Sequence, residues 1–188
     1  MKPAIIVVDM IKDNVDIGAP YSMGEEGRKI IPNLQRLISS AREMGIPVIF
    51  ANDSFLPNDF LFKGKIKPHS IRGTEGAEVI DELEPVDTDI VLPKRRMSAF
   101  FKTDLDMTLR TLDVDTIVVC GISTQVCVLT TAMDGLANDF RVVLLEDCCA
   151  CASRADHETV IGLLRRPGFA FLLSVVTSEE FLDSLRTA

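Results

Sequence analysis

The strongest constraint on this chain is a rhythm. Short β-branched apolar runs alternate with longer amphipathic stretches from one end to the other. Ala4-Ile-Ile-Val-Val8 is continuous, β-branched and stopped by Asp9, the pattern of a strand buried on both faces. Over residues 28–44 the apolar side chains Ile30, Leu34, Leu37, Ile38 and Ala41 recur at helical spacing, and Gly45 supplies the stop. A second strand follows at 47–51. The pattern then predicts a long loop over 52–76, of a length usually kept for function, and a short helix near 77–83. Strands are expected at 89–92, 116–120, 141–145 and 170–173. Helices are expected at 104–112, 124–138 and 154–165, with a terminal one from Ser178. Six strands alternating with helices imply a three-layer α/β/α sandwich around a six-stranded, mostly parallel, Rossmann-like sheet with right-handed crossovers. With 188 residues, one domain spanning 1–188 is expected.

Composition removes several function classes. Lys and Arg total 20 against 28 Asp and Glu, a formal charge of −8. Nucleic acid and anionic membranes repel such a chain, so neither is an expected partner. The apolar runs fall far short of the ~20 residues of a membrane helix. One Lys and a short apolar run before Asp9 do not make a secretory signal. Five cysteines, odd in number and without a CxxC pair, fit neither a disulfide framework nor a zinc ribbon. A reducing cytoplasm is the expected location.

In an open parallel sheet, ligands gather beyond the carboxyl ends of the strands, near the switch in strand order. The residues leaving those ends are Asp9, Asn52 with Asp53, Pro93 with Lys94, and Gly121-Ile-Ser-Thr-Gln-Val-Cys127. Taken singly, Asp9 suits a turn or helix cap, Lys94 a solvated surface and Cys127 a small buried apolar position. An acid, a base and a thiol on one sheet edge together suit nucleophilic catalysis. Cys127 is expected in the first turn of a helix capped by Ser123 or Thr124, where the helix dipole would lower its pKa.

These residues resemble the isochorismatase-like cysteine hydrolases, a family that includes nicotinamidases and N-carbamoylsarcosine amidases. The resemblance spans nearly the whole chain. It is carried by Ile-Val-Val-Asp9-Met, by Pro68-His69-Ser-Ile-Arg-Gly73-Thr-Glu-Gly76, by Pro93-Lys94 with Ser98-Ala-Phe-Phe-Lys-Thr-Asp-Leu105, and by Gly121-Ile-Ser-Thr-Gln-Val-Cys127-Val. It implies a catalytic triad of Asp9, Lys94 and Cys127. It also implies a cis peptide between Ile122 and Ser123, and an oxyanion hole made by the backbone N–H groups of Ser123 and Cys127. The implied reaction is hydrolysis of a small linear amide or carbamoyl compound, N-carbamoylsarcosine-type, through a Cys127 thioester with release of ammonia.

The chain departs from its relatives in places. Nicotinamidases of the family hold a metal with an Asp-x-His pair and a later His. Here Asp53 and His69 match the outer positions, but Phe55 stands in the middle. With one carboxylate and one imidazole left, no metal and no other cofactor is expected, and His69 reads as a hydrogen-bonded structural residue. Ile11 and Asn14 replace the family's usual Gln and aromatic residue after the catalytic Asp, and Ile66 an aromatic before Pro68-His69; those aromatics stack on a nicotinamide ring, so nicotinamide is only the alternative substrate. Phe55, Phe100 and Arg154 are the expected substrate-binding residues, with Arg95 and Arg96 as alternative carboxylate clamps. Cys148, Cys149 and Cys151 read as small buried residues after a strand. Two rival readings are a non-catalytic binding or scaffold member of the family, and a thiol redox sensor with Cys120 as resolving cysteine. The resemblance further implies a homodimer or homotetramer.

Overall fold

The computed structural model describes residues 1–16, 18, 19 and 21–186. Six strands, β1 (Pro3–Val8), β2 (Val48–Asp53), β3 (Ile90–Lys94), β4 (Thr116–Ile122), β5 (Arg141–Ala150) and β6 (Leu173–Val176), form one sheet in the order β3-β2-β1-β4-β5-β6. Every pairing is parallel, and helices cover both sides. The helices are α1 (Lys12–Val15), α2 (Gly24–Lys29), α3 (Ile31–Glu43), α4 (Leu105–Thr111), α5 (Leu129–Ala137), α6 (Arg154–Leu164), α7 (Pro167–Ala170) and α8 (Ser178–Arg186). Among the described residues, none is long and apolar enough to cross a membrane.

β1 and β4 form the centre of the sheet, and their apolar residues are buried on both faces. The edge strand β3 alternates instead: Leu92 and Lys94 are buried while Val91 and Pro93 are exposed. An edge position is where a strand can tolerate Pro93, which has no N–H to give to a ladder. α3 buries Ile31, Leu34, Leu37, Ile38 and Ala41, the face its spacing defines, with Pro32 in its first turn. The chain leaves it through Gly45 at φ +68.

Several boundaries differ from the sequence reading. Asn52 and Asp53 belong to β2, because pairing with Pro93 and Lys94 of β3 outweighs their turn preference. The helix expected near 77–83 is two 3₁₀ turns, Glu75–Ala77 and Asp81–Leu83. The run expected as strand 170–173 begins as the end of α7, and the strand starts only at Leu173. Helix 28–44 is divided at Ile30 into α2 and α3. β5 runs on to Ala150 past a register shift opposite Val119 and Gly121, which places Cys148 and Cys149 inside the strand.

The sheet changes direction of growth at β1, where β2 and β3 extend one way and β4 to β6 the other. That opens a crevice at the carboxyl ends of β1 and β4. Gly121 keeps those two strands close: its φ is +106, and a Cβ there would stand 2.1 Å from the Val8 carbonyl oxygen. Gly121→Ala is therefore expected to cost about 3 kcal/mol or more, since both a backbone clash and a left-handed conformation oppose it. A urea melt showing a loss below about 1 kcal/mol would contradict that.

Candidate active site

Asp9 turns out of β1 at φ +54, a conformation Asp tolerates better than the branched residues before it. It is almost wholly buried. Its Oδ1 accepts a 2.7 Å hydrogen bond from the Asp53 N–H. Its Oδ2 lies 2.8 Å from Lys94 Nζ, but out of line for a hydrogen bond. That buried oxygen has no hydrogen-bond partner among the described residues.

Lys94 ends β3 and is 0% exposed. The alternation of the edge strand points it inward, where its Nζ donates to Asp53 Oδ1 at 2.5 Å. Burial alone would lower its pKa; the carboxylates of Asp9 and Asp53 outweigh burial and hold it above its ordinary value. Burial, and then the Asp9 carboxylate, push Asp53 up to about 7 against the pull of Lys94. Two acids and one cation thus share a buried site.

Cys127 lies across from them. Its sulfur and one carboxylate oxygen each of Asp9 and Asp53 are within 4.8 Å of one another. It sits in a single π-helical turn, Thr124–Val128, that leads into α5. The Val126 and Val128 N–H groups both donate to the Ser123 carbonyl, and the Ile122–Ser123 peptide is cis. Ser123 stands at the N-cap position of this turn, as expected, but its side chain makes no cap hydrogen bond, and the Thr124 hydroxyl meets His157 Nδ1 of α6 at 2.9 Å. The expectation of a lowered thiol pKa is overturned. Burial, and then the Asp9 carboxylate, push Cys127 well above its ordinary value, and Lys94 opposes them only in part. The resting thiol holds its proton and needs a base to lose it.

These groups open into a cavity of ≈ 240 Å³. Phe55 is on its wall, as expected; Phe100 and Arg154 are not. Phe100 packs against Phe140, with centroids 5.9 Å apart. Arg154 begins α6 as an exposed residue paired with Glu158 at 2.9 Å, because the chain between β5 and α6 turns it to solvent. Arg95 and Arg96 pair with Asp59 beside a separate hollow that Arg72, Phe101 and Lys102 complete. A larger groove of ≈ 770 Å³ between α3 and α8 has no cysteine among its lining residues.

His69 lines the cavity too. Its Nδ1 lies 2.9 Å from the Lys67 carbonyl, and its ring stands 4.1 Å from Tyr21 and 5.5 Å from Phe55. Asp53, Phe55 and His69 together offer a metal one carboxylate and one imidazole, and that carboxylate already holds the Lys94 ammonium. The Asp9, Asp53 and Cys127 cluster has the same cation against both its acids. This donor set does not fit a metal ion. Sequence reasoning missed Tyr21, Met23, Leu61, Met97 and Val126 on the cavity wall. Of these, Tyr21 alone left a signal, as the single tyrosine of the chain, set in a turn-rich Gly-Ala-Pro-Tyr-Ser segment.

Cys120, Cys148, Cys149 and Cys151 are all buried and free, and Cys120 donates to the Ile6 carbonyl at 3.5 Å inside the sheet.

Comparison with known proteins gives a consistent outcome. The model of the isochorismatase domain matches residues 3–180. The structure of an isochorismatase-like hydrolase from Alkaliphilus metalliredigens superposes with a TM-score of 0.91 at 33% identity, covering 98% of this chain and 100% of that one. An N-carbamoylsarcosine amidase from Thermoplasma acidophilum gives 0.81 at 36% identity, over 95% and 97%. A ureidoacrylate amidohydrolase from Pantoea ananatis is 33% identical over 168 residues, 77% of this chain and 67% of that protein.

Proposed function

The chain belongs to the isochorismatase family, and from that premise we propose that it is a cysteine amidohydrolase of small linear amide or carbamoyl compounds, with Asp9, Lys94 and Cys127 as its catalytic residues. The observation that carries this reading is the buried cluster of the Cys127 sulfur with the Asp9 and Asp53 carboxylates, in which Asp9 Oδ2 pairs with Lys94 but accepts no hydrogen bond. Asp9 is the base the thiol needs, and Lys94 stands 2.8 Å from its Oδ2 as the counter-ion.

The steps follow from those positions. Asp9 takes the thiol proton as Cys127 sulfur attacks the substrate carbonyl carbon. The backbone N–H groups of Ser123 and Cys127 hold the resulting oxyanion, each such donor being worth about 3 kcal/mol. Asp9 then gives the proton to the leaving nitrogen, the C–N bond breaks and ammonia departs. Water gives a proton to Asp9 and attacks the thioester carbonyl, the C–S bond breaks, and the thiol recovers its proton. No step passes through a metal.

The similarity to an N-carbamoylsarcosine amidase and a ureidoacrylate amidohydrolase supports including the carbamoyl group, apart from any acid end, among the groups cleaved. Tyr21 and Phe55 on the wall keep nicotinamide as a second reading. The same reading carries a cytoplasmic location and a homodimer or homotetramer.

Ammonia release from a panel of linear amides, ureido compounds and nicotinamide, with and without a chelator, tests the proposal. Turnover of a linear member that survives chelation is the expected result. Loss on chelation would show that a metal takes part after all. Silence across the panel would remove the hydrolase reading in favour of a binding role.

A further inference from the structure

The cavity wall has a definite charge and texture, and these bear on which amides can enter. Resting on the reading of Cys127 as nucleophile, we propose that the substrate is a small uncharged amide or carbamoyl compound with an aliphatic body, and that amides carrying a carboxylate are excluded. The cavity, ≈ 240 Å³, suits a small molecule.

The charge follows from the wall. Among the described residues it holds the carboxylates of Asp9 and Asp53 and the imidazole of His69, whose Nδ1 lies against the Lys67 carbonyl, but no Lys or Arg. The nearest cation, Lys94, is wholly buried and faces both of them. Arg154 is exposed and paired with Glu158, while Arg95 and Arg96 are paired with Asp59 beside a different hollow. A substrate carboxylate would lose its water and meet two acids with no cation of its own, the costliest way to bury a charge.

The aliphatic character follows from the rest of the wall, where Asn14, turned to the Asp9 carbonyl, and Ser123 are outnumbered by hydrocarbon. Met23, Leu61, Ile66, Met97 and Val126 supply flexible or branched hydrocarbon around the opening. The two aromatic residues are already engaged: Tyr21 lies tilted against His69, and Phe55 meets both His69 and Phe62 edge-on. A planar aryl ring finds less free ring face here than an alkyl chain finds hydrocarbon.

The test compares 4-methylpentanamide with succinamate, which is nearly identical in shape but ends in a carboxylate, and adds nicotinamide. A kcat/KM about 100-fold higher for 4-methylpentanamide than for succinamate, and higher than for nicotinamide, is expected. Succinamate as good as its neutral partner, or nicotinamide better than both, would overturn the inference.

A second arm separates this inference from the amidohydrolase reading. The rates at which iodoacetamide and iodoacetate alkylate Cys127, each divided by its rate with glutathione, are read by peptide mass spectrometry. The anionic reagent should be slower by about tenfold or more even if no amide is hydrolysed. Equal normalised rates would overturn charge exclusion whatever the amide panel gives. Leu61→Arg, which places a cation on the wall, should raise succinamate turnover about tenfold and narrow the gap in alkylation rates; an unchanged gap in both counts against the proposal.

Discussion

Cys127→Ala is expected to lower kcat/KM by roughly 10⁴- to 10⁶-fold, the scale on which loss of a covalent nucleophile is felt. The fold should barely notice. Cys127 is only partly buried at a cavity wall, and deleting one sulfur atom there should cost less than about 1 kcal/mol. The variant should therefore melt like the parent in urea while releasing ammonia only at background rates. A variant that keeps a tenth of the parental rate would mean that water, rather than the thiol, attacks the substrate. Loss of activity together with a large loss of stability would leave the role of the sulfur unproven.

Lys94→Met should have the largest effect on stability, about 3–5 kcal/mol, because it strands two buried acids without their cation. Its pH dependence carries a sign. Asp53 is raised in the folded protein to about 7, above the unfolded value near 4. Between those values the native state holds a proton that the unfolded chain has released. The contribution of Asp53 is therefore greatest below about pH 4 and is lost as pH rises through 7. Lys94 is raised as well, so its contribution is fully present below its ordinary value and disappears only in strong alkali. Without Lys94 the decline between pH 5 and 8 should steepen. Adding Asp53→Asn to Lys94→Met should recover much of the loss, because one stranded charge is removed. Urea melts at pH 5 and pH 8 read both effects. A flat profile with a loss below 1 kcal/mol would show that the buried cluster is not ionised as described.

Much of this was legible in the sequence, for identifiable reasons. β1 and β4 declare themselves because strands buried on both faces must be continuously apolar. α3 does so through its spacing and Gly45. Asp9, Lys94 and Cys127 could be proposed as neighbours because each leaves a strand at the same edge of a parallel sheet. Asp53 was less clear: asparagine and aspartate read as turn formers, and only pairing with β3 keeps them in the strand. The state of the thiol was misread because the dipole argument supposes an exposed helix start. A π-helical turn beside a buried carboxylate sets the opposite balance. The cavity wall was least legible. Tyr21 and Met97 come from loops and Leu61 from a short 3₁₀ turn, none with a periodic pattern, and which of them meet depends on how the loops close. Arg154 shows the converse error, since nearness along the chain to a strand end did not bring its side chain to the site.

The central claim is that Cys127 carries the acyl group between the two halves of the reaction. Acid quenching of the enzyme during turnover of 4-methylpentanamide or another accepted amide, followed by digestion and mass spectrometry, tests it most directly. The account predicts an acyl thioester on the peptide containing Cys127, absent from Cys127→Ala. Steady turnover with that peptide unmodified at every quench time, and with Cys127→Ala still active, would contradict it.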